Sequence, residues 1–276
     1  MSYADSKGVR LYVESTGSGT PIVFIHEFAG DLRNWEYQVR TLGRRYRCIT
    51  FNSRGYPPSD VPQEVEQYSQ ELAVADIASV LRHCNAERAH VVGLSMGGYT
   101  ALNFAIAHPE MTRSVVAASV GHGSDPDKRE AFLKSNADLA VRMLEFGMQE
   151  GADHYLNGPA RRRFKEKNPR GSSEFNSQFA EHSPIGAALT KRGLQLRRPT
   201  VYELKDQLAR LAVPTLVIAG DDDDPCLDPS LFLKRTIPDA RLWIVPRTTH
   251  TVNLEEPEEF SRAVTAFLAD VDSLGR

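Results

Sequence analysis

Residues 89–102 read Ala-His-Val-Val-Gly-Leu-Ser-Met-Gly-Gly-Tyr-Thr-Ala-Leu. An apolar run ends, and a run of small and apolar residues suited to a helix begins almost at once. Between them, Gly93-Leu94-Ser95-Met96-Gly97 is too short for a loop, so a strand must turn directly into a helix. So sharp a turn strains the backbone of its central residue, at a cost on the order of 1–3 kcal/mol. Bulky side chains two positions away on either side would strike the flanking elements, which accounts for glycine at both 93 and 97. The turn lifts the Ser95 hydroxyl above the end of the strand and aims the Met96 amide at the same space.

The same strand-then-helix rhythm runs through most of the chain. Apolar runs at 22–26, 48–51, 90–94, 114–119, 215–219 and 242–245 have the character of buried parallel strands. Helical patterns occupy 32–42, 70–84, 98–107 and 257–268, and the alternating stretch 9–14 suits an antiparallel edge strand. This order predicts a doubly wound α/β sheet. The rhythm stops after Gly121 and resumes near Val213. In between lie an amphipathic helix predicted at 129–150, a loop at 168–173 and no strand-like run. The expected organisation is therefore a core of residues 1–121 and 211–276, carrying a helical cap of residues 122–210. Because the cap departs from the carboxyl end of a strand, it is expected to form a lid over the site.

The net charge of −3 gives no electrostatic reason to expect nucleic acid or an anionic membrane as a partner. No apolar run approaches the roughly 18 residues of a membrane span, and residues 1–7 lack the pattern of a secretory signal. Cys48, Cys84 and Cys226 are odd in number and lack metal-ligand spacing. Cys48 and Cys84 read as small buried hydrophobes. A cytoplasmic protein without metal or other cofactor is expected. The cap carries 16 basic against 12 acidic residues, a net of +4, whereas the rest carries 17 against 24, a net of −7. Its basic cluster at 161–167 reads first as a solvated helix face. Two alternatives are steering of an anionic substrate and electrostatic docking of the cap.

A serine hydroxyl becomes a nucleophile only when a base takes its proton and a third group orients that base. Asp221, Asp222, Asp223 and Asp224 follow the predicted strand 215–219, and His250 follows the next one. The order serine, aspartate, histidine, together with five motifs in sequence, resembles the serine α/β-hydrolase superfamily. The five are Phe24-Ile25-His26-Glu27-Phe28-Ala29-Gly30, the stretch 52–59, the Ser95 turn, the stretch 217–223 and His250 through Pro257. The resemblance covers residues 9–121 and 211–270. It implies the α/β-hydrolase fold, a mostly parallel eight-stranded sheet flanked by helices, with the cap inserted after the sixth strand.

It also implies roles. Ser95 and His250 would be nucleophile and base. The acid in such proteins usually stands three residues after the glycine that ends the strand, which gives Asp223; Asp224 is the rival because Pro225 follows it. The oxyanion hole would combine the Met96 and Phe28 amides. Relatives carry glycine where this chain has Glu27. That carboxylate either turns to solvent or a structural partner, or reaches the pocket to meet a polar substrate group. His26 is expected to be structural, and Arg54-Gly55 to organise loops. Trp35 and Tyr37 are pocket candidates with an equal claim to core packing, and Met143, Leu144, Phe146 and Met148 are expected to be buried packing.

The activity implied is hydrolysis of a small carboxylic ester or lactone through an acyl-enzyme. Carbon–carbon hydrolysis of a β-diketone and acyl transfer on the same triad are enzymatic alternatives. A non-catalytic small-molecule receptor is the alternative of another class. Dehalogenases and epoxide hydrolases of this fold attack with aspartate, which Ser95 cannot replace. The expected partner is a small-molecule substrate, and a homodimer is compatible with the resemblance.

Overall fold

The computed structural model describes residues 2–275. Eight strands form one sheet in the order β1-β2-β4-β3-β5-β6-β7-β8. They are β1 (Ser2–Ser6), β2 (Val9–Thr16), β3 (Pro21–Ile25), β4 (Arg47–Phe51), β5 (Ala89–Leu94), β6 (Thr112–Ala118), β7 (Thr215–Gly220) and β8 (Ala240–Val245). β2 is antiparallel to β1 and β4, and all pairings from β4 through β8 are parallel. Helices α1 (Glu36–Leu42), α2 (Gln70–His83) and α3 (Met96–Ala107) lie among the first six strands. Helices α4 (Arg129–Leu156), α5 (Arg162–Lys167), α6 (Pro169–Ala180), α7 (Pro184–Leu189) and α8 (Lys205–Ala209) fall between β6 and β7. Helix α9 (Asp224–Thr236) joins β7 to β8, and α10 (Val252–Glu255) and α11 (Pro257–Ser273) close the chain.

The continuous apolar strands feed two cores because successive side chains point to opposite faces. Ile22, Phe24 and Val92 join Leu42, Phe260 and Val264 on the face covered by α1 and α11. Val23, Ile25 and Val91 join Ile77, Leu81, Leu102 and Phe104 on the face covered by α2 and α3. A third cluster lies beyond the carboxyl ends of the strands. There Leu139, Met143, Met148, Phe164, Phe175 and Phe179 of the helical segment pack with Phe28, Tyr56 and Met96.

Four local expectations are corrected. β1 is an added edge strand, hidden in the sequence by its serines and aspartate; Lys7 (φ 53°) and Gly8 (φ 81°) form the two-residue hairpin that pairs it with β2. Residues 168–173 are not a loop but the start of α6, where the Asn168 side chain accepts from the Gly171 amide and Pro169 occupies the first turn. The helix predicted at 129–150 runs on to Leu156 but breaks at Gly147 (φ 82°, ψ 176°). Met143 and Met148 are buried as expected, whereas Leu144 and Phe146 face solvent. Val201, Leu204 and Leu208, near the end of the helical segment, pack into the core with α2 and α3.

Candidate active site

Ser95 sits between β5 and α3 at φ 55°, ψ −113°, outside the comfortable range of an L-residue. Its amide donates to the Ala118 carbonyl at 2.7 Å, fixing the turn to β6. A Cβ at Gly93 would lie 2.2 Å from the Gly97 carbonyl oxygen, and one at Gly97 would lie 2.1 Å from that of Ile25. Neither backbone can retreat, because β3 and β5 are paired there.

The loop after β8 carries His250 to the same end of the sheet. The buried Glu255 carboxylate shapes that loop by accepting from the Thr249 amide (2.9 Å) and hydroxyl (2.5 Å) and from the Thr251 hydroxyl (3.3 Å). His250 Nε2 is 2.7 Å from Ser95 Oγ, and His250 Nδ1 is 2.8 Å from Asp223 Oδ2. The four aspartates after β7 diverge. Asp221 accepts from the Thr248 amide, Asp222 pairs with Arg163, and Asp224 is exposed at the start of α9. Only Asp223 is buried against the imidazole. Burial works against its charge, yet His250, with help from Cys226 and His122, holds the Asp223 carboxyl below its ordinary range.

Met96 follows the serine at the start of α3 and packs in one cluster with Phe28. Neither amide N–H has a protein acceptor among the described residues, as expected of a free loop amide and of a first-turn helix amide. The loop carrying Phe28 is held by His26. The Ser53 amide donates to His26 Nε2 at 3.1 Å, so the ring proton is on Nδ1 and is donated to the Glu27 carbonyl at 2.7 Å. Burial lowers the His26 pKa to about 4, which keeps it in that neutral form. Arg54 is likewise structural, bidentate to the buried Asp76 carboxylate.

Two pocket candidates are placed elsewhere. Trp35 does not reach the site; it packs against Phe24 and Phe260, with ring centroids 5.2 and 6.0 Å away. The short helix carrying it lies flat on the sheet, so its apolar side must face the α1–α11 core. Tyr37 is exposed on α1. Glu27 turns neither to solvent nor into the open cavity: it is 1% exposed and ion-paired with Arg161 of the helical segment.

The basic cluster is consequently only in part a solvated face: Arg162 and Lys165 are exposed, but Arg161 is buried. Arg163 Nε meets Asp222 at 2.6 Å, and Lys167 meets Glu256 at 2.5 Å and the Thr248 hydroxyl at 3.2 Å. With Arg161 on Glu27, these contacts tie the segment to the three loops that carry Phe28, Asp223 and His250. The His250 amide also donates to the Ala160 carbonyl at 3.3 Å.

A cavity of ≈ 490 Å³ opens between the segment and the sheet, with Ser95, His250 and Asp223 in its wall. Phe132, Leu139 and Tyr155 supply apolar lining, and His122, Arg161, Lys191, Gln195 and Arg198 supply polar lining. The sequence reading singled out none of His122, Lys191, Gln195 or Arg198 for the site, since nothing local distinguishes a buried arginine in a basic run from a solvated one. Asp223, Cys226 and His250 place ligand-type atoms within 4.8 Å of one another. They make a poor metal set: both histidine nitrogens are engaged, and burial, with Asp223 beside it, holds the Cys226 thiol well above its usual pKa.

A family model described as the alpha/beta hydrolase fold matches residues 20–257. A Bacillus subtilis protein described as a putative 2-succinyl-6-hydroxy-2,4-cyclohexadiene-1-carboxylate synthase is 26% identical, over 96% of this chain and 97% of the relative. A 3-oxoadipate enol-lactonase from Acinetobacter baylyi is 26% identical, over 96% of this chain and 95% of its own. Among solved structures, a thermophilic esterase from Thermogutta terrifontis superposes with a TM-score of 0.86 at 26% identity, over 98% of both chains.

Proposed function

This chain belongs to the alpha/beta hydrolase fold family, and from that premise we propose that it is a serine hydrolase cleaving a small carboxylic ester or lactone through an acyl-enzyme. The observation that carries the reading is the unbroken chain Ser95 Oγ, His250, Asp223, with links of 2.7 and 2.8 Å in the wall of a substrate-sized cavity. His250 Nε2 takes the Ser95 proton as Oγ attacks the carbonyl carbon. The ionised Asp223 fixes the imidazole so that Nδ1 carries the other proton, and it stabilises the imidazolium as it forms. The oxyanion is received by the Phe28 and Met96 amides; one such donor is worth roughly 10²–10³ in turnover. His250 then protonates the departing oxygen and afterwards draws a proton from water, which hydrolyses the acyl-serine and returns Oγ to its starting state.

The strain at Ser95 supports the same reading, because strained backbone conformations cluster at functional sites. The test is turnover of 4-nitrophenyl acetate and of a panel of short lactones by the wild type and by Ser95→Ala. The wild type is expected to show turnover that falls by on the order of 10⁴-fold or more in the variant, with the melting transition retained. Equal rates in the two proteins would overturn the proposal.

A further inference from the structure

The wall of the cavity beside Ser95 carries Lys128, Arg161, Lys191 and Arg198 as well as Asp222, Asp223 and Asp224, but its buried cations are not all paired. Three cationic side chains in its wall are almost wholly buried: Arg161, Lys191 and Arg198, at 3, 2 and 8% exposure. Glu27 neutralises Arg161, and Asp223 is committed to His250. Lys191 and Arg198 have no carboxylate within ion-pair distance among the described residues. The Lys191 ammonium rests on two amide oxygens, Asn136 Oδ1 at 2.6 Å and Gln195 Oε1 at 2.8 Å. It also lies 3.7 Å from the centre of the Phe28 ring. Arg198 stacks on Tyr99 at 4.6 Å and donates from Nη2 to the His122 carbonyl at 3.3 Å, while its Nη1 is buried with no acceptor at all.

Burying two such cations together is unfavourable unless an anion completes the set. Burial, and then Arg198 beside it, hold the Lys191 pKa well below its ordinary value, and burial lowers Arg198 as well. The backbone is also unusual here. Residues 190–195 form a π-helical turn, with the Leu196 amide reaching back five residues to the Lys191 carbonyl at 2.9 Å. This geometry is rare and is found frequently at functional sites. In this chain it places Lys191 and its partner Gln195 together on the cavity wall.

We propose that Lys191 and Arg198 form an anion subsite, and that the substrate carries a carboxylate seated there while its ester or lactone carbonyl lies at Ser95. The inference rests on the hydrolase reading for the second half of that sentence only; the subsite is a matter of binding. The Arg198 guanidinium and the Lys191 ammonium supply two neighbouring positive charges to the carboxylate. Glu27 gains a purpose in this arrangement. By neutralising Arg161 it leaves Lys191 and Arg198 as the buried cations without an ion pair in the wall.

Binding and turnover test it separately. Calorimetry on Ser95→Ala protein should show glutarate bound, with the neutral 1,5-pentanediol at least tenfold weaker. Lys191→Met and Arg198→Met, each placed on the Ser95→Ala background, should each weaken glutarate at least tenfold. In kinetics, the wild type should prefer mono-4-nitrophenyl glutarate to 4-nitrophenyl pentanoate. The Met variants should raise KM at least tenfold more for the anionic ester than for the neutral one. Glutarate bound no better than pentanediol by the Ser95→Ala protein overturns the subsite, whatever the esterase result and whether or not the Met variants fold. Glutarate binding in a wild type that turns over no ester or lactone supports the subsite and counts against the hydrolase reading instead.

Discussion

The Glu27–Arg161 pair stands where the family resemblance leads one to expect glycine, and its energetics can be worked from the structure. Both side chains are nearly free of solvent, and each leaves one atom without a partner, Glu27 Oε1 and Arg161 Nη1. Two unit charges about 3 Å apart at an effective dielectric of about 20 attract by ~5 kcal/mol. Desolvating the two ions costs several kcal/mol each, so the net worth of the pair is near zero. Removing one partner is a different matter, because it strands the other charge in the interior. Glu27→Gln and Arg161→Met are each expected to destabilise by about 3–5 kcal/mol, and the double variant by far less than their sum.

Urea unfolding of the four proteins closes the cycle and should return a coupling of roughly 3 kcal/mol. Arg161 also packs over Tyr155 and Phe175, so Met retains part of that contact. Single variants whose effects add to within about 0.5 kcal/mol would refute the reasoning. Such additivity would mean that the two groups are solvated and that the segment is held to the Phe28 loop by packing alone.

Two further outcomes follow from the backbone and the histidines. Ser95→Gly and Ser95→Ala both lose the hydroxyl, but only glycine relieves φ 55°. Relief of about 1–3 kcal/mol against an entropic cost of about 0.5–1 leaves Ser95→Gly more stable by roughly 0.5–2 kcal/mol in denaturant melts, and the reverse order would contradict the strain. Burial, the first cause in each case, lowers His26, His90 and His122 to about 4. The unfolded chain therefore binds more protons between that value and about 6.5. The stability these groups contribute is complete above about pH 6.5 and is withdrawn as pH falls toward 4, by up to ~1.4 kcal/mol per pH unit for each histidine. Chemical denaturation from pH 7.5 to 4.5 reads this slope, and a flat profile would mean that the rings are protonated inside the fold.

Much of the architecture was legible because it rests on local rules. Apolar runs of strand length, helices between them and a strand-to-helix turn flanked by obligatory glycines predicted the parallel sheet and the place where a hydroxyl would stand above it. β1 escaped because an exposed edge strand buries only two of its five residues and so carries little apolar signal. Helix α6 escaped because an asparagine cap and a loop asparagine look alike until the next turn is seen.

The sequence by itself determined the sheet, the strained turn at Ser95 and the order serine, aspartate, histidine, since each is written in neighbouring residues and short-range sterics. The tertiary structure decided which of four adjacent aspartates meets His250, because the turn after β7 and the start of α9 send their carboxylates in different directions. It also sent Trp35 into the core, brought Arg161 to Glu27 across 134 positions and left Lys191 and Arg198 without an ion-pair partner among the described residues. Burial and pairing are properties of what the rest of the chain brings near a residue, and the charge of a cavity is decided there rather than in any stretch of sequence.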